Sequence, residues 1–398
     1  MKSLAEFHLK NNAVMGVYNN RTLPSSYHDA MTEYKAVREN ALLVDYSHLS
    51  IVSVMGDDAW ALINQLVSAD VSIIRDEQAI YSLVLNEEGT IRGDVYVLCS
   101  IDGYYLLSED ISAAELIASM NTILEKAEEL DIQSLPEIQD MRENNWGAIL
   151  LEGPYSWEIM SEIHGFDVIG LPYYEYMNTD EDLLIFRCGK HGEYAYMTIG
   201  EQAKLAEQWE KLLTVGEKYL MQTGGLDYQK IVRLENPCWD ASLWEGQSVN
   251  PVQLQMQWAV QYDKDDFIGK DAVTELSQEY TGNKLIGMIA QEECEGIEAG
   301  DRVLVEGQDV GYVVKAVFSP ALQRFIALTL LEKDYAWSDI SGYEIQTAHG
   351  IIPAQSKCMP FIYNLSMLLA QLSTVISTRQ KIKAQRNEYR RVKIAYAA

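Results

Sequence analysis

The sequence predicts a mixed α+β fold closed at its C-terminal end by a small β-barrel and a helical tail. Three observations carry that expectation. Helical and strand-like segments alternate through the first 280 residues with short turns and no glycine-rich phosphate loop, which argues against a doubly wound parallel sheet. From about residue 283 the chain turns to strands with glycines at their bends. After residue 363 it reads as one helix, apolar in its first half and basic in its second.

Taken in order, the stretch Tyr27 to Val67 predicts helix, strand, helix. The residues T-E-Y-K-A-V-R-E-N are helix formers, L-L-V-D-Y-S-H-L-S-I-V-S-V is strand-like, and D-D-A-W-A-L-I-N-Q-L-V is amphipathic behind an Asp cap. Tyr81 to Val97 alternates apolar residues around a turn at Glu88, Gly89 and Thr90, the pattern of a hairpin. A helix is expected over Ile111 to Leu130, and a short buried strand over Trp146 to Leu151. The chain must turn at Gly153-Pro154, with a further helix beyond it. The strands K-L-I-G-M-I-A, D-R-V-L-V-E-G-Q-D-V-G-Y-V-V-K-A-V and R-F-I-A-L-T-L-L then supply the barrel, ending near Phe361.

Composition narrows the function. At 398 residues the chain exceeds one hydrophobic core, and 48% apolar content suffices to build two or three. A formal charge of -28 repels nucleic acid and anionic membrane surfaces. No apolar run is long enough to span a bilayer, and the first residues lack a secretory pattern, so the expected location is cytoplasmic. Cys99, Cys188, Cys238, Cys294 and Cys358 are scattered, odd in number and without paired spacing. Neither a disulfide framework nor a metal site is expected from them. Acidic clusters such as Glu125 to Asp131 and Glu292 to Glu298 read as solvated faces, whereas the tail is basic from Arg379 onward. That tail is expected to pack its apolar stripe on the body.

Asp94 draws attention because a carboxylate sits where the returning hairpin strand becomes Val95-Tyr96-Val97. Alone it would be a carboxylate that caps a turn or faces water. The segments around it change that reading. In order they are A-V-R-E-N-A-L-L-V-D-Y-S-H-L (Ala36 to Leu49), N-E-E-G-T-I-R-G-D (Asn86 to Asp94), E-G-P (Glu152 to Pro154) and G-G-L-D-Y-Q-K-I-V-R-L-E (Gly224 to Glu235). There follow N-P at Asn250, W-A-V at Trp258, F-I-G-K-D-A at Phe267 and F-S-P-A-L at Phe318. In this order and spacing the chain resembles the aminomethyltransferase (T protein) of the glycine cleavage system and its wider family from about residue 13 to residue 363. That family includes folate-dependent demethylases of sulfonium, aromatic methoxyl and N-methyl substrates.

The resemblance implies three domains in a cloverleaf around a central channel that holds tetrahydrofolate as cofactor. Residues 1–280 would form the folate-binding region from two interleaved α+β domains, 283–363 the barrel and 364–398 the helical tail. Asp94 would lie near the reactive folate nitrogens as the catalytic acid, stabilising positive charge and orienting the departing proton. Tyr81 would pack beside the pterin, and Trp258 is a candidate for stacking.

The chain also departs from the family pattern. The glutamate that pairs with the pterin falls on Met197, whose thioether cannot accept two hydrogen bonds; unpaired buried donors cost about 1 to 3 kcal/mol. An arginine becomes Gln229, a tyrosine becomes Lys190, and Asn-Ala becomes Ser108-Glu109. The barrel's T-S-G becomes Lys315-Ala316 after Val314. Glu193 or Glu109 is expected to replace the missing carboxylate and Lys190 the missing cation, if folate is held in full; otherwise each is a loop charge. His48 reads as a satisfied core histidine, His191 as a loop residue open to a site role, and Cys238 as a thiol without a neighbouring histidine in sequence. Arg233 and Glu235 are expected to form a buried pair.

The expectation is therefore one-carbon transfer to tetrahydrofolate from an amine-like or methylated small molecule. A carrier-borne substrate is not favoured, because recognition points of the strict T protein have changed. The competing expectation is a scaffold of the same fold that binds another ligand, or none.

Overall fold

The computed structural model describes residues 3–363, so the expected basic tail lies outside the described residues. Two sheets and a barrel each carry their own core, and a fourth core joins them.

The N-terminal reading needs one correction. Ala30–Glu39 is helical, capped by the Asp29 carboxylate on the amides of Met31 and Thr32. The strand expected next is two strands in two different sheets, Leu42–Asp45 and Ser50–Met55. Between them Asp45 accepts from the Ser47 amide, and the Leu49 amide returns to the Tyr46 carbonyl. Continuous apolar residues hid that turn, because both short strands are buried on both faces.

The first sheet is antiparallel, in the order Ala79–Leu85, Ile91–Ser100, Gly103–Ser108, Ser50–Met55, Glu137–Asp140. Period-two alternation divides its residues. Val84, Val95 and Val97 face the helices Ala59–Leu66 and Ala113–Leu124, while Tyr81, Leu83, Tyr96 and Leu98 face the central core. The expected Asp cap of the first helix is corrected as well. Asp58 makes no cap bond; its Oδ2 accepts instead from the amides of Gln133 and Ser134 at 2.8 and 2.7 Å. The second helix is shorter than its pattern, starting at a Ser112/Glu115 capping box and ending at Leu124.

The second sheet runs Tyr176–Asn178, Leu184–Cys188, Ala195–Glu201, Trp146–Glu152, Leu42–Asp45, Gln222–Gly224, with only its last pair parallel. Helices Ser156–His164 and Gln202–Gly216 bury Ile159, Trp209 and Leu212 against one face. The barrel closes through six strands, Lys284–Ala290, Arg324–Leu331, Gln308–Ser319, Arg302–Val305, Ser341–Thr347 and Gly350–Lys357. The central core takes Tyr81 and Tyr96 from the first sheet, Leu150 and Phe186 from the second and Leu285 and Leu328 from the barrel. Three bodies meeting at one apolar centre are the arrangement that can enclose a ligand.

Candidate functional site

At that centre lies a cavity of about 420 Å³. Its walls come from Tyr81 and Tyr96, from Tyr174 and Lys190, from the segment Pro237 to Trp258, and from the barrel with its Lys357 to Pro360 extension. Tyr81 and Tyr96 are register partners in the hairpin, with ring centroids 5.6 Å apart edge to face. Trp258 stacks on Tyr81 at 5.3 Å and 24°, and is itself 70% exposed. An aromatic shelf with one open edge results.

Asp94 precedes Tyr96 by two residues on the same face of its strand and is 1% exposed. Local sequence fixes it there. A Cβ on Gly93 would come within 2.5 Å of Ile111, so only glycine lets the loop after Ser108 close down. Ser108 Oγ donates to the Asp94 carbonyl at 2.8 Å and accepts from the Ile111 amide. Ser108 thus holds the backbone of Asp94 and is not on the cavity wall.

The Asp94 carboxylate is half satisfied. Its Oδ2 accepts from Lys190 Nζ at 2.7 Å, while Oδ1 is buried without a well-formed hydrogen bond, close to the Tyr81 hydroxyl, which is likewise without one. Lys190 also reaches Glu109 Oε1 at 3.2 Å, and Glu109 accepts from Tyr46 at 2.9 Å and from Arg233. His48 Nε2 stands 4.0 Å from Glu109, with its Nδ1 unpartnered. Burial opposes the charge on Lys190, and Asp94 and Glu109 outweigh it, holding the amine well above the ordinary lysine range. Glu109 is likewise opposed by burial and held well below the usual carboxylate range by Arg233 and Lys190. Burial, then the Asp94 charge, push the Tyr81 phenol up.

The remaining sequence candidates sit around this cluster without facing the cavity. Met197 is 3% exposed in the central core, paired across its sheet with Phe186 and Leu150. Gln229 donates to Tyr46 at 3.2 Å. Glu193 is bound to Arg38 at 3.2 Å. His191 bridges Glu152 Oε2 at 2.9 Å and the Arg233 Nε at 3.4 Å, while its carbonyl accepts from Arg38 at 2.7 Å. The expected Arg233 to Glu235 pair is corrected: Arg233 serves Glu109, and Glu235 serves Arg38 at 2.8 Å. Two residues apart on one short helix, those side chains point about 200° from each other and so meet different partners.

Sequence reasoning did not single out Tyr46, Tyr96 or Tyr174 for the site. Tyr96 was legible, being one strand period from Asp94; Tyr46 and Tyr174 come from distant segments and left no local signal. Cys238, weighed only as a nucleophile, is a wall residue whose thiol burial pushes up to about 11, against the pull of Arg233 and Lys190. Among the described residues no group of three or more His, Cys, Asp or Glu could hold a metal ion.

A buried acid, a cavity at a three-body junction and a barrel that closes it define the class, an α+β protein built to enclose a small organic molecule. Residues 4–264 match the model of the GCVT N-terminal domain, and 283–362 that of the glycine cleavage T-protein C-terminal barrel domain. The chain belongs to the glycine cleavage T-protein family. It is 28% identical over 342 residues to an aminomethyltransferase of Caldanaerobacter subterraneus subsp. tengcongensis, covering 84% of this chain and 88% of that one. An aminomethyltransferase of Thermosipho melanesiensis is 26% identical over 368 residues, covering 90% and 96%. The fold matches the crystal structure of glycine cleavage system aminomethyltransferase T from Bartonella henselae with TM-score 0.74 at 20% identity, over 91% of this chain and 97% of that one.

The site suits a reduced pterin on its own evidence. The cavity falls within the range of small-molecule sites, about 300 to 1,000 Å³. Flat aromatic walls match a bicyclic ring, and Tyr81 on the wall carries its hydroxyl close to the Asp94 carboxylate, which lies just behind the wall with Oδ1 short of a well-formed hydrogen bond.

Proposed function

We propose that this protein is a folate-dependent one-carbon transferase, moving a methyl or methylene group from an amine-like or methylated small molecule to tetrahydrofolate. The observation that carries the reading is the half-satisfied Asp94 carboxylate buried beside an aromatic cavity. Tetrahydrofolate supplies, when bound, the weakly basic nitrogen that accepts the one-carbon unit. Tyr81 and Trp258 would hold its ring by stacking, Asp94 Oδ1 would take a hydrogen bond from it and hold the proton that leaves, and the aromatic walls would keep water out. Ser108 would act by fixing the Asp94 backbone. Lys190 and Glu109 would set the charge around it, with Gln229, Glu193 and Met197 supporting the shell behind.

A small-molecule donor is favoured over a carrier-borne one, since Met197 and Gln229 replace polar recognition residues. Five free cysteines fit a reducing, cytoplasmic compartment. Titration with tetrahydrofolate, read by melting temperature, tests the reading. A ligand at a hundred times its dissociation constant stabilises the fold by about 2.7 kcal/mol. Asp94→Asn should keep that response and lower transfer about 10²- to 10³-fold. No melting shift at millimolar folate would overturn the proposal.

A further inference from the structure

Lys190 is placed as a bound cation would be. Its ammonium lies 5.9 and 5.4 Å from the ring centroids of Tyr81 and Tyr96, 2.7 Å from Asp94 and 3.2 Å from Glu109. Aromatic faces with a buried carboxylate are the components by which proteins recognise sulfonium and quaternary ammonium groups. Here the box is built and the chain fills it with its own side chain, only 9% exposed.

We propose that Lys190 determines specificity by occupying this cation box, so that the site excludes permanently cationic donors and takes an uncharged one, such as a neutral amine or a methyl ether. The inference deepens the transferase reading and rests on the cavity being where the donor sits. The pairing of charges supports it. Lys190 binds both Asp94 and Glu109, Arg233 also binds Glu109, and burial with the charges of those two carboxylates pushes the neighbouring Asp110 carboxyl up to about 7. A donor cation would find both carboxylates already bound to a cation, and would face an ammonium at short range in a medium that screens poorly. The two carboxylates also keep the amine protonated against burial, so the box does not open by loss of a proton. An uncharged donor meets no such opposition and still gains the aromatic walls.

The test compares two probes of one shape, choline and its uncharged isostere 3,3-dimethylbutanol, titrated at matched ionic strength and read by tryptophan fluorescence. The full-length protein should bind the neutral probe at least as well as choline. Lys190→Met, which keeps most of the side-chain volume, should shift the preference toward choline by about tenfold. Lys190→Gln serves as a second neutral variant should the first fail to fold, and Asp94→Asn added to either should reduce the gain. A preference for choline in the unaltered protein would overturn the proposal. So would an unchanged ratio in both variants, or no choline binding by a folded variant. A parallel titration with 5-formyltetrahydrofolate separates the two ideas: its failure with the choline result intact would sink the folate reading alone.

Discussion

Asp94 and Cys238 show how the same apolar surroundings act on two acids. Asp94 keeps a cationic partner, Lys190, at hydrogen-bond distance. The Cys238 thiol has no such direct partner; Arg233 and Lys190 draw it down only at range, and burial pushes it up to about 11. Near neutral pH it is therefore almost wholly protonated, and thiols react as thiolates. Iodoacetamide labelling of Cys238, followed by mass spectrometry of its peptide, should rise about tenfold per pH unit between pH 7 and 9. Cys294, partly exposed and outside the cavity, gives an internal reference. Because Cys238 lines the cavity, saturating 5-formyltetrahydrofolate should suppress its labelling; equal rates with and without folate would separate the cavity from the folate site. Asp94 itself was legible in the sequence because a hairpin fixes its face. The partners of Lys190 were not, since Asp94 on strand Ile91–Ser100 lies 96 residues away in sequence and Glu109 follows Ser108 in another distant segment.

Between residues and domains, the short helix Gln229–Glu235 and the helix Ala30–Glu39 form one buried unit. Glu235 is fully buried and accepts from Arg38 at 2.8 Å, Tyr34 at 2.7 Å and Ser319 at 2.6 Å, so a single carboxylate ties the N-terminal helix to the barrel. Arg38 is also fully buried and shared with Glu193 and the His191 carbonyl. Gly192 completes the joint: at φ 77° its missing Cβ leaves room for the Asn236 side chain, 2.6 Å from where that atom would stand. Removing one partner from a buried ion pair strands the other. Arg38→Met should therefore cost about 3 to 5 kcal/mol, measured by urea unfolding, by leaving Glu235 and Glu193 uncompensated. A loss below about 1 kcal/mol, the range of exposed pairs, would show that water reaches the joint. The sequence displayed the arginine and both acids but not their pairing, because proximity in R-L-E suggested Arg233 with Glu235. Helix geometry sends those side chains apart, and only the tertiary arrangement chooses their partners.

Across the whole molecule, the three-body arrangement came from the family resemblance, while composition allowed two or three cores and the barrel was legible from its strand pattern and glycine bends. What held the bodies together was less so, because the joints are single polar side chains buried in long, irregular segments. Lys264 is one. It is 6% exposed, and its side-chain nitrogen donates to the carbonyls of Val67 at 2.6 Å and Ala69 at 2.8 Å, pinning the segment after Trp258 to the first sheet's helical layer. Among the described residues no carboxylate is bonded to it, and burial brings its pKa down to about 7 although Asp70 and Asp266 pull upward. In the unfolded chain the same lysine titrates near its ordinary value of 10.5. Between those two values the unfolded state binds the proton and the folded state does not, so stability rises with pH across that window and levels off below it. The slope from one such group is at most about 1.4 kcal/mol per pH unit. Lys264→Met removes that term, so the stability of the unaltered protein relative to the variant should climb between pH 7 and 9 by about 1 kcal/mol per unit. Urea unfolding of both proteins at a series of pH values measures the difference directly. A flat difference across the window would mean that Lys264 keeps its proton in the folded state, the pull of Asp70 and Asp266 outweighing burial.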